Sequence, residues 1–106
     1  MNFLNLTPHV LNVHCGEGNV RVIAPSGAVA RVSVTDTPRD AVGGIPTVAS
    51  AVGDVTGLPA PVTGVVLIVS GMVAAHAPRE DVVSPGALVR DADGRPCGCL
   101  GLRRSL

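Results

Sequence analysis

Tryptophan, tyrosine and lysine are absent from these 106 residues, and Phe3 is the only aromatic side chain. Without Trp and Tyr the chain has no supply of the usual interface anchors. It also lacks the aromatic platforms on which single-stranded nucleic acids stack. Eight basic and eight acidic residues give a net charge of zero, so there is no basic field for nonspecific DNA binding. The longest β-branched apolar run, Val65–Val69, is far too short to span a bilayer. The opening MNFLNLTPHV has no basic start and no long apolar stretch, so a cytoplasmic protein with no membrane partner is expected. Neither GxGxxG nor GxxxxGK[ST] occurs, which leaves no support for a dinucleotide fold or a P-loop, and no cofactor is expected.

Apolar residues make up 46% of the sequence, and valine dominates them. With 13 glycines and 9 prolines, this composition favours short strands and tight turns over long helices. The length suits one domain, residues 1–106. Turn signals recur about every ten residues, the rhythm of a small β domain. The fold class expected is therefore mostly β: a compact single-domain sheet or barrel-like fold with one short helix near residues 71–77.

Leu4–His14 reads as a first strand bent at Thr7-Pro8. Asn5 and Thr7 are placed to hold that bend through nearby backbone groups, with His9 bracing it or contacting a ligand. Gly16–Asn19 reads as a hairpin turn returning through Val20–Ile23, and Pro25-Ser26-Gly27 as a further turn. Ala28–Thr35 alternates, with Ala30, Val32 and Val34 on one face and Arg31 on the other. Asp36–Gly44 reads as a loop, and Ile45–Val55 as an extended pair around Gly53-Asp54. Val65–Val69 is the expected buried strand. Gly71–Ala77 reads as two helical turns capped by Ser70 and ended by Pro78. Short strands at Val82–Val83, Leu88–Arg90 and Cys97–Leu102 follow, with a turn at Pro85-Gly86, a tight hairpin at Asp91–Gly94 and a frayed Arg103–Leu106.

Ser70 lacks the flanking glycines of a nucleophile elbow, since Ile68 and Met72 occupy those positions, and helix capping is its expected role. Cys97-x-Cys99 puts two thiols on one strand face about 7 Å apart. Three cysteines give no disulfide framework, and a C-x-C pair without a second pair reads as packing, so no metal site is expected. The eight cations are all arginine, as codon bias in a GC-rich genome would produce, or as selection for a planar fork that grips anions would. Arg31 on its strand, Arg79 at the start of a loop and Arg90 at a strand end are the candidate anion contacts, with Asp81 and His9 beside them. If the chain turns at Pro85-Gly86, Arg79 and Arg90 share one end of the sheet. The competing arrangement pairs Arg79 with Asp81, and Arg90 with Asp91 or Asp93.

The segments Asn5-Leu6-Thr7-Pro8-His9, Pro25-Ser26-Gly27 with Ala30-Arg31-Val32, Gly44-Ile45-Pro46, Gly57-Leu58-Pro59, Ile68-Val69-Ser70, Pro78-Arg79, Pro85-Gly86 and Val89-Arg90-Asp91 run through nearly the whole chain. In them the sequence resembles a group of small bacteriophage and prophage proteins of GC-rich hosts. That resemblance implies a phage setting and an accessory role in a bacterial cytoplasm. The function expected is a noncatalytic binding protein that sequesters an anionic, nucleotide-derived signal to antagonise host defence. The alternative is a protein-binding inhibitor of a host enzyme, or a structural accessory without a small-molecule site. No acid–base pair or nucleophile constellation stands out for an enzyme. Exposed strand edges on so small a domain predict a homo-oligomer.

Overall fold

The computed structural model describes residues 1–106. The chain is mostly β, with one short helix, as the composition predicts. Its strands are β1 (Asn2–Asn5), β2 (Leu11–Gly16), β3 (Asn19–Ile23), β4 (Arg31–Val42), β5 (Ile45–Thr56), β6 (Val65–Ile68), β7 (Val82–Arg90) and β8 (Pro96–Arg104). The helix α1 (Gly71–His76) lies between β6 and β7.

Six strands form a curled half-barrel sheet in the order β1-β6-β7-β8-β2-β3. Its two outermost strands come back towards each other. The Arg21 guanidinium of β3 stands 4.9 Å from the ring centroid of Phe3 on β1, and the Asn5 side chain donates to the Ile23 carbonyl at 3.2 Å. The lone aromatic is thus spent on holding the curl, through a cation–π contact. β1, β6 and β7 are mutually parallel, as are β2 and β8, while β7–β8 and β2–β3 are antiparallel.

Val65–Val69 is the buried strand that its unbroken apolar run predicts: Leu67, Ile68 and Val69 are all buried. Leu67, Val69 and Val82 pack with Leu6, Ala30, Val73 and Ala74, so α1 and the start of β4 roof one side of β6–β7. Ile68 falls in register with Asn5 and Val83, all three buried on the opposite side. Ser70 caps α1, its hydroxyl accepting from the Val73 amide, and Ala77 closes the helix just before Pro78.

Three local readings are corrected. Asp36–Gly44 is not a loop: β4 runs through it to Val42, and the turn lies at Gly43-Gly44, where φ values of 57° and 80° suit a two-residue hairpin. Pro38 is accommodated because each strand of a two-stranded ribbon has an outer edge that needs no amide donor. Gly53-Asp54 is not a turn either. Gly53 lies opposite Ser33 at a bulge in one continuous β5, and a Cβ there would collide with the Ser33 hydroxyl. Likewise Pro85-Gly86 does not turn the chain. β7 passes straight through it, Pro85 facing Leu102, and Gly86 is glycine because the Leu100 carbonyl of β8 lies where a Cβ would stand.

The consequence of the first two corrections is a long β4–β5 hairpin, 12 residues in each strand, that pairs only with itself. Val32 and Val55 at its base pack against the core, and beyond them almost every residue is exposed. The hairpin is an arm projecting from the half-barrel. It raises the radius of gyration to 16.7 Å, against about 13 Å for a compact chain of this length, and stretches the molecule to 51 Å.

Candidate functional site

Leu4–His14 is not one bent strand: β1 ends at Asn5, β2 begins at Leu11 in another part of the sheet, and the bend between them is held by Asn5 and Thr7 as their residue types predict. Asn5 is buried, and all four hydrogen-bonding positions of its amide are used. Its Oδ1 accepts from the Thr7 amide and hydroxyl at 3.0 and 2.7 Å, and its Nδ2 donates to the carbonyls of His9 and Ile23. His9 contributes its backbone to this bend. Its residue lines an open groove of about 500 Å³ with Val10, Leu88, Pro96 and Cys97. No arginine lines that groove, and its polar side chains are those of His9 and Asn12.

The candidate arginines do not meet there or anywhere else. Because β7 is continuous, Arg79 precedes its first residue and Arg90 ends it, some 25 Å further along an extended strand. The shared edge expected for this pair does not form. The guanidiniums of Arg79 and Arg90 are each engaged locally. Arg79 grips Asp81 bidentately, Nε to Oδ1 at 2.9 Å and Nη2 to Oδ2 at 2.6 Å, and its Nη1 donates to the Pro59 carbonyl. The Arg79 hydrogen bonds hold the Asp81 carboxyl below its usual range, against a smaller opposing push from burial. Arg90 donates to the Gly94 carbonyl at 2.8 Å, bracing the hairpin whose Asp91 carboxylate accepts from the amides of Asp93 and Arg95. Arg31 is exposed at the base of the arm, in register with Thr56 and remote in sequence and strand order from the other two. The three cysteines are free thiols, with Cys99 buried between Val13 and Leu88 in the β2–β8–β7 register.

A different pair of arginines is free. β8 extends to Arg104, so the expected fraying of 103–106 does not occur; Ser105 is fixed instead by exchanging hydrogen bonds with the Arg79 backbone at 3.0 and 2.7 Å. Arg103 and Arg104 make no ion pair or hydrogen bond through their side chains, and both line a cleft of about 260 Å³ with Ser84 and the small residues Gly71, Ala74 and Ala75 of α1. Ser84 and Arg103 are register partners across β7–β8, so they stand side by side on one face. Ser84 is 4% exposed, and its hydroxyl has no partner within the chain. No side-chain polar atom is sealed away unpaired, so this hydroxyl opens onto the cleft. A buried hydroxyl aimed at a space that it shares with the unpaired Arg103, with alanine and glycine opposite, has the donors and the room for one phosphate or carboxylate group, while Arg104, in register with Val83, turns its side chain to the other face.

Sequence reasoning missed this site because Arg103-Arg104 close the chain, where fraying is the usual expectation. The available signal was the apolar alternation of Cys97–Leu102 running directly into two arginines. No helix is long and apolar enough to cross a membrane. Scans against protein-family models, curated proteins and solved structures find no match to this chain.

Proposed function

We propose that the protein is a noncatalytic binding protein whose ligand is a small anionic molecule held in the cleft between α1 and the ends of β7 and β8. The observation that carries this reading is the conjunction of Ser84, buried and unpartnered, with the unpaired Arg103 beside it. An arginine left without an acidic partner beside a buried, open hydroxyl is poised for an oxyanion, whereas Arg79 has already found its carboxylate. The cleft lies just below the range of about 300–1,000 Å³ usual for small-molecule pockets. It suits a phosphate group with little body attached, the remainder of a nucleotide-like ligand lying outside over Ala75. The resemblance of the sequence to phage proteins supports a setting in which such binding would sequester a host signal.

The test is a melting-temperature screen with inorganic phosphate, mononucleotides and cyclic dinucleotides, followed by calorimetric titration of the best binder. Binding confined to the native state raises the midpoint by mass action. Arg103→Ala and Ser84→Ala should each weaken that binder, Arg103→Ala by about tenfold or more, since hydrogen bonds to charged groups contribute about 1.5–3 kcal/mol. Arg90→Ala, on the far end of β7, should leave affinity unchanged. No stabilising anion in the screen, or unaltered affinity in Arg103→Ala, would sink the proposal.

A further inference from the structure

We infer that the β4–β5 arm of one chain lies across the β8–β2–β3 face of a second copy, and reciprocally, in a twofold dimer. The inference starts from a ribbon that cannot account for its own stability. Two-stranded sheets are marginal in water unless one face is covered, yet this one is solvated on both sides beyond Val32 and Val55. Its register places Val34 opposite Val52 and Pro38 opposite Val48 on one face. Those valines are exposed at 46, 44 and 56%, and the one acidic residue between them, Asp36, is already hydrogen-bonded to Ser50. The tip adds Val42 opposite Ile45, both open to solvent.

The same chain carries a second uncovered apolar surface. Leu100 on β8, His14 on β2 and Val20 on β3 form one register row, and Val22 lies two residues further along β3 on that face. Leu100, Val20 and Val22 are all largely exposed. Zero net charge leaves no long-range repulsion between copies.

Area decides how the copies meet. From Val34 to Val42 the ribbon is about 30 Å long and about 10 Å wide, or about 300 Å² per face. Arm packed on arm would bury about 600 Å² in total, half of what a stable interface needs. Two arms, each laid on the body of the other copy, cover four such faces and reach about 1,200 Å². Pro38 and the two register breaks in β4–β5 spoil the ribbon's edges for strand addition, so contact through the face is favoured over an open-ended sheet.

The experiment is sedimentation equilibrium with light scattering, from about 1 to 100 μM under reducing conditions. The parent is expected at twice the 10.6 kDa chain mass. Val48→Arg and Leu100→Arg alter residues exposed in the single chain, so each should remain folded by circular dichroism while the dimer dissociation constant rises about 100-fold, the cost of burying an unpaired charge. A mixture of the two variants keeps one intact arm on one intact receiving face, so its heterodimer should be tighter than either variant's own dimer and weaker than the parent's. A monomeric parent at 100 μM would overturn the inference. So would a dimer broken by Val48→Arg and untouched by Leu100→Arg, which means arm on arm, and so would an assembly larger than two. Ligand binding at Ser84 and Arg103 is read separately in every variant, so failure of either idea leaves the other standing.

Discussion

Replacing Asn5 by alanine tests how the half-barrel is fastened. The amide is 1% exposed and makes four hydrogen bonds: two from Thr7 to Oδ1, and two from Nδ2 to the carbonyls of His9 and Ile23. At a net contribution of about 1 kcal/mol each, the four sum to about 4 kcal/mol. His9 lies at the surface, so water regains its carbonyl in the variant, and the loss falls to about 3 kcal/mol. For 106 residues the unfolding entropy near the midpoint is about 0.22 kcal/mol/K. Asn5→Ala should therefore lower Tm by about 13 °C, measured by calorimetry at fixed protein concentration. Asn5→Asp keeps both bonds from Thr7 but sets a carboxylate against two carbonyl oxygens. Its deficit at pH 7 should equal or exceed that of alanine, and should shrink towards pH 4 as protonation restores one donor. A fall of less than about 4 °C in Asn5→Ala would refute the reasoning, because it would mean that the buried carbonyls and the Thr7 hydroxyl find other partners at little cost.

The Asp81 carboxyl is held below its usual range by Arg79, so the pair stabilises the fold above the unfolded-state pKa of about 3.9 and the contribution is lost as pH falls through the lower folded-state value. Asp81→Asn should melt about 4 °C below the parent at pH 7, as for a partly exposed pair worth about 1 kcal/mol, and the gap should narrow steadily as melts are taken below the unfolded-state pKa of about 3.9. Gly86→Ala places a methyl group on the Leu100 carbonyl, where only backbone movement gives relief; urea titration should show a loss of about 2 kcal/mol, and an unchanged midpoint would mean that β7 and β8 are not this close.

Local signals were legible in the sequence, and signals that depend on a distant neighbour were not. The Ser70 cap, the Val65–Val69 strand, the Gly16–Asn19 hairpin and the Asn5–Thr7 bend each follow from residues within one turn of each other. Glycine was the main source of error, because it serves two purposes that look alike. At Gly43-Gly44 it supplies positive φ for a turn, whereas at Gly53 and Gly86 it makes room for a group on the adjacent strand. Taking the latter for turns broke β5 and β7 into pieces and brought Arg79 and Arg90 to one edge. The Ser84–Arg103 pairing depends on the β7–β8 register, which no local pattern specifies. The arm was hidden because Asp36, Pro38 and Asp40 make its outer half read as a loop.

The parallel pairings impose an order of events on folding. β1 must wait for β6, Asn2 meeting Val65, and β2 must wait for β8, Val13 meeting Cys99. During synthesis β2 and β3 can pair at once, but β1 and the other edge of β2 leave the ribosome with their parallel partners still unmade, while β4 and β5 close on each other around Gly43-Gly44 as soon as both are out. The two local hairpins, β2–β3 and then the arm, are the first elements able to form, and the half-barrel is the last. A nascent chain thus displays its apolar ribbon before it has a body, and crowded polysomes offer that ribbon to neighbouring chains during the interval when β1 still lacks β6 and β2 still lacks β8.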